Sequence, residues 1–104
     1  PFAVQQQIAE ARSSYHLYII RLHDVSGGRR RTVFDALRAR GIGVNLHYIP
    51  VYLQPYYRRL GFAPGHCPAA EDYYAGAISI PLYPGLSEAE RDQVVKAVKE
   101  AVRA

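Results

Sequence analysis

The chain has 104 residues, 49% hydrophobic and 21% charged, an ordinary globular balance at the length of one domain. Its net charge is +4 and its only cysteine is Cys67, so no internal disulfide can form and a reducing, cytoplasmic setting is expected. There is no run of 18 apolar residues to span a membrane, and no charged segment leads into an apolar one as a secretory signal requires.

The chain opens on Pro1 and contains no methionine, which we read as a piece cut from a longer protein. Phe2–Ala11 is compatible with a helix: Gln5, Gln6 and Gln7 are good helix formers, and Ile8 and Ala11 can share a face with Val4. Residues 1–12 are therefore expected to be an entry helix from an upstream domain. Tyr15–Leu22 is rich in Tyr, Ile and Leu and reads as a strand buried on both faces or nearly so. Ser26-Gly27-Gly28 ends it in a loop. Arg29–Arg40 reads as a helix with Val33, Phe34 and Leu37 on one stripe, and Gly41 sits where a left-handed C′ residue is needed.

Gly43 then releases a second predicted strand, Val44–Ile49, with Val44, Leu46 and Tyr48 to one side and Asn45, His47 and Ile49 to the other. Pro50 stops its pairing. Pro55–Leu60 and Glu71–Ala77 are short predicted helices, Pro55 suiting a first turn. Ala77–Leu82 is a third strand before the Pro84-Gly85 turn. The clearest element is Ser87–Val102, where Ser87 and Glu90 make a capping box and Val94, Val98 and Ala101, with Val95 and Val102, form the buried stripe. The sum is an α/β (α+β) domain: about three strands in one sheet, with helices packed on one face.

Several chemistries lack their residues. There is no HExxH and no paired CxxC, so no metal site is expected. Ser79 lies in no GxSxG context, and no glycine-rich phosphate loop is present. The two lysines, Lys96 and Lys99, fall on the solvated face of the last helix and do not look like activated amines. The arginines, above all Arg29, Arg30 and Arg31, permit phosphate binding without demanding it. What stands out is Gly41–Tyr52, where a strand delivers His47 and Tyr48 to a proline-stopped loop. Imidazole and phenol there can hydrogen-bond hydroxyls or phosphates, or pack on a sugar or base.

These segments together resemble the C-terminal domain of the DegT/DnrJ/EryC1/StrS family of pyridoxal-phosphate-dependent sugar aminotransferases. Four blocks carry the likeness, in order: Ser14-Tyr15-His16-Leu17-Tyr18, Gly41 through Val51 with its His47-Tyr48-Ile49-Pro50 core, Cys67-Pro68-Ala69-Ala70-Glu71, and Ser79-Ile80-Pro81-Leu82-Tyr83-Pro84. The likeness covers about residue 13 onward, so residues 13–104 are expected to be the small C-terminal domain of a fold type I aminotransferase. Within the family, His47–Tyr57 is most similar to the branch serving pseudaminic acid biosynthesis.

The resemblance implies a homodimeric enzyme moving an amino group from glutamate to a 4-keto nucleotide sugar, with pyridoxal phosphate bound mainly by a domain outside this chain. It implies that His47, Tyr48, Ile49 and Pro50 are substrate-binding. It also implies that no catalytic, cofactor-binding or metal residue lies here, and that this chain alone is inactive. Neither a nucleic-acid nor a membrane partner is implied. Two other classes stay open: a small basic α/β module that binds RNA, which the arginines favour but no RNP1-like strand supports, and a purely structural dimerisation domain.

Overall fold

The computed structural model describes residues 1–104. Strands β1 (Phe2–Ala3), β2 (Tyr18–Leu22) and β3 (Ala77–Ile80) form one antiparallel sheet in the order β1-β2-β3. Ile20 lies opposite Ile78 and Tyr18 opposite Ile80. The pleat therefore puts Tyr18, Ile20, Leu22, Ile78 and Ile80 on one face and Ile19, Arg21, Ala77 and Ser79 on the other. Helices α1 (Arg29–Ala39) and α4 (Glu88–Ala101) cover the first face with Val33, Leu37, Val94, Ala97, Val98 and Ala101. The expected fold class, a small α+β domain with a three-stranded sheet and helices on one face, is what is found.

Two short helices, α2 (Pro55–Arg59) and α3 (Pro68–Gly76), start with proline in the first turn, where a missing N–H costs nothing. α3 ends against β2: a Cβ added to Gly76 would stand 2.7 Å from the Leu22 carbonyl oxygen. The Arg21 guanidinium pairs with Asp72 on the same helix. No helix is long and apolar enough to cross a membrane.

Four expectations need correction. The first segment is no helix: Phe2 and Ala3 pair with Leu22 and Arg21, and residues 4–11 form no regular element. Val4 and Ile8 are exposed there, so a helix would have had no apolar face to bury, and a lone helix of that length is marginal in water. The second strand shrinks to a single bridge, Asn45 to Ser79. The Asn45 side chain takes the Leu46 N–H at 2.8 Å, a local bond that competes with a ladder, and Pro50 has no donor to continue one. β2 is buried on one face only, with Arg21 exposed between buried Ile20 and Leu22. On α4 the stripe takes in Ala97 and leaves Val95 exposed, the i, i+3, i+4, i+7 set of 94, 97, 98 and 101.

Candidate functional site

The Gly41–Tyr52 segment is held by its flanks. Gly41, at φ +76°, adopts the left-handed conformation that β-carbons disfavour. Its N–H bonds to the Arg38 carbonyl at 2.9 Å and that of Ile42 to Leu37 at 3.1 Å, the paired bonds of a Schellman motif. Ile42 and Val44 are buried in the core and Leu46 packs against it. Between them Asn45 exchanges both backbone bonds with Ser79, at 3.1 and 2.8 Å. The chain is thus clamped to the free edge of β3 immediately before His47.

His47 is half-buried, and its Nδ1 lies 2.7 Å from the Ser79 hydroxyl. Nε2 has no partner within the chain, yet no buried side-chain nitrogen is left unpaired, so Nε2 reaches solvent. The Tyr48 ring stands edge-on to the imidazole with centroids 4.6 Å apart and is 70% exposed; the peptide bond joining the two residues is cis. Ile49 is half-buried and Pro50 buried. The Pro50 carbonyl accepts the Leu53 N–H at 2.9 Å, which starts a 3-10 turn over Val51–Leu53. Of the four expected site residues, His47 and Tyr48 therefore present polar atoms together at the surface, while Pro50 sets the course of the loop.

A second cluster lies beyond that turn. The Tyr52 hydroxyl donates to Glu71 Oε1 at 2.5 Å and accepts the Cys67 N–H at 3.2 Å; the same carboxylate oxygen accepts the Gly65 N–H at 2.6 Å. Desolvation first, and then the bond to Glu71, push the Tyr52 phenol above its usual range. The Tyr52 and Gly65 donors hold the Glu71 carboxyl below its own. Edge-to-face contacts run from Tyr52 to His66, Phe62, Tyr57 and Tyr56. This lobe keeps Tyr56 and Leu60 exposed.

The arginines that suggested a phosphate surface are largely engaged. Arg29 donates to the Ala104 and Val102 carbonyls at 2.8 and 2.5 Å, capping the end of α4. Arg30 donates to the Tyr74 carbonyl near the end of α3 and lies over the Tyr74 ring at 4.3 Å. Arg31 pairs with Asp35 one turn on. Lys96 and Lys99 sit on α4, which covers the sheet face opposite Ser79. No three His, Cys, Asp or Glu side chains converge as metal ligands would.

Sequence reasoning did not connect Ser79 to His47, nor Glu71 to Tyr52. The first had a signal: in Ala77-Ile78-Ser79-Ile80 one polar residue lies in an apolar strand, and a buried hydroxyl needs a partner. The second had none, since the pair lies 19 positions apart across loop and helix.

Comparison with known proteins places these features in context. A model of the DegT/DnrJ/EryC1/StrS aminotransferase family matches residues 1–99. The spore coat polysaccharide biosynthesis protein SpsC of Bacillus subtilis is 34% identical over 97 residues, 90% of this chain and 25% of SpsC. Spr1654 of Streptococcus pneumoniae, assigned as a sugar aminotransferase and solved in PMP and PLP forms, superposes with a TM-score of 0.91 at 31% identity, over 98% of this chain and 26% of its own. PseC of Helicobacter pylori, an aminotransferase of pseudaminic acid biosynthesis, gives 0.77 at 29% identity, over 85% of this chain and 24% of its own. PseC is thus one similar protein among several, and the pseudaminic acid branch is not singled out. The chain spans about a quarter of the length of the relatives it matches.

Proposed function

The chain belongs to the DegT/DnrJ/EryC1/StrS aminotransferase family, and from that premise we propose that it is the C-terminal domain of an enzyme moving an amino group from glutamate to a 4-keto nucleotide sugar. The observation that carries the reading is the His47–Tyr48 pair: a clamped imidazole with Nε2 open to solvent, beside an exposed phenol. His47 and Tyr48 contact the nucleotide sugar, and Ile49 and Pro50 shape the loop that presents them. The sugar of the pseudaminic acid route is one substrate within this reading. The enzyme is a cytoplasmic homodimer, and the exposed hydrophobic side chains of Tyr56 and Leu60 suit a surface that another subunit or domain covers.

Relatives in the family are pyridoxal-phosphate-dependent, and that cofactor supplies the electron sink for amino transfer. The residues of this chain do not build a site for it. Its lysines lie only at Lys96 and Lys99 on α4, across the core from the His47–Ser79 contact. No step of amino transfer is therefore assigned to this chain; its part is to bind and orient the sugar.

In the full-length protein, His47→Ala should raise KM for the nucleotide sugar about tenfold, the value of one well-placed hydrogen bond, and leave KM for glutamate unchanged. An unaltered sugar KM would contradict the reading and favour a purely structural domain.

A further inference from the structure

We propose that Ser79 is a positioning residue that holds His47 as the Nε2–H tautomer, making it a hydrogen-bond donor to an acceptor oxygen of the nucleotide sugar; this deepens the function proposed above and rests on it.

Ser79 is the only buried polar residue of the core, 5% exposed, in the middle of β3. Its backbone N–H and C=O are both engaged by Asn45. Its hydroxyl has one partner, His47 Nδ1 at 2.7 Å. A serine hydroxyl carries one proton and can also accept. Accepting from Nδ1–H would leave that proton buried with no acceptor, the costlier arrangement. Donating to Nδ1 satisfies it. A neutral imidazole that accepts at Nδ1 carries its proton on Nε2, the nitrogen that reaches solvent.

The direction matters for recognition. With Nε2–H outward, His47 selects oxygens that accept; the other tautomer would select hydroxyl donors instead. The Asn45–Ser79 bridge fixes the distance between the two side chains, because Ser79 is one partner of that clamped pair and His47 follows the other partner, Asn45, by two residues. The contact is therefore built by the fold, and Ser79 acts on substrate only through His47.

The test uses the full-length protein. With 15N-labelled histidine, the His47 Nδ1 should resonate as an unprotonated nitrogen and Nε2 as a protonated one; the reverse pattern overturns the proposal without any substitution. In steady-state kinetics Ser79→Ala should raise KM for the nucleotide sugar about three- to tenfold, with kcat and KM for glutamate little changed. Ser79→Thr, which keeps the hydroxyl, should recover most of the loss. The double variant His47→Ala, Ser79→Ala should be no worse than His47→Ala alone, because coupled residues are not additive. Additive losses, or a Ser79→Ala enzyme with an unchanged sugar KM, overturn the positioning role while leaving His47 as a contact. A His47→Ala enzyme with an unchanged sugar KM overturns the function proposed for the loop, and this inference with it.

Discussion

Glu71 and Tyr52 tie the Val51–Leu53 turn and the loop at Gly65–Cys67 to α3 through a few polar atoms, and their titration is a handle on that knot. The Glu71 carboxyl is held below its ordinary value of 4.5, chiefly by the Tyr52 hydroxyl and then by the Gly65 N–H. A carboxyl depressed in the folded state contributes stability above its unfolded value and loses it as pH falls through the folded value. Thermal midpoints should therefore fall as pH drops below about 4.5, and Glu71→Gln should make that fall shallower; parallel curves for the two proteins would show that the knot carries none of it. Tyr52 runs the other way: its raised phenol stabilises at neutral pH and stops doing so as alkali ionises it. At this scale the sequence is legible only where a residue contradicts its own surroundings. Ser79 does so among apolar neighbours, and His47 does so at a strand end. Tyr52 and Glu71 do not, because their meeting depends on how the intervening loop closes.

Helix ends were the most legible elements, since their signals are local. Ser87 accepts the Glu90 N–H at 3.2 Å while Glu90 accepts the Ser87 N–H at 2.8 Å, as the Ser-x-x-Glu spacing foretold. Ser87→Ala should cost about 1 kcal/mol in a urea titration. Gly41 takes the positive φ expected of it, and beyond its immediate chain neighbours nothing lies within 4 Å of a Cβ placed there. Gly41→Ala is then a purely conformational loss of about 1 kcal/mol. Gly76→Ala should cost more, about 2–3 kcal/mol, because its Cβ would meet the Leu22 backbone at 2.7 Å; equal losses at the two glycines would contradict the packing of α3 on β2. Strands were less legible. The third strand of the sheet comes from Phe2–Ala3 rather than from Val44–Ile49. Pairing depends on which edge a distant segment can reach, and two residues of β1 leave no periodicity to read.

As a whole the molecule is a sheet with two unlike faces. One is sealed by α1 and α4 into the core; the other carries Ser79, Arg21 and the half-buried Ile19. The +4 charge pointed toward phosphates, but Arg29 and Arg30 are used to cap helix ends, a role that depends on tertiary contacts invisible in composition. Because both lysines are solvent-exposed on the outer face of α4, with nothing to desolvate and activate an amine, pyridoxal phosphate titrated into this 104-residue chain should give no saturable bound-cofactor absorbance band; a stoichiometric band would contradict that placement. The most direct test of the chain as a sugar-binding domain is a structure of the full-length protein with a UDP-4-keto sugar or its amino product bound. An acceptor oxygen of the ligand should lie within hydrogen-bonding distance, about 2.7–3.2 Å, of His47 Nε2, with Tyr48 against the sugar. A ligand seated with no atom near His47 or Tyr48 would contradict it.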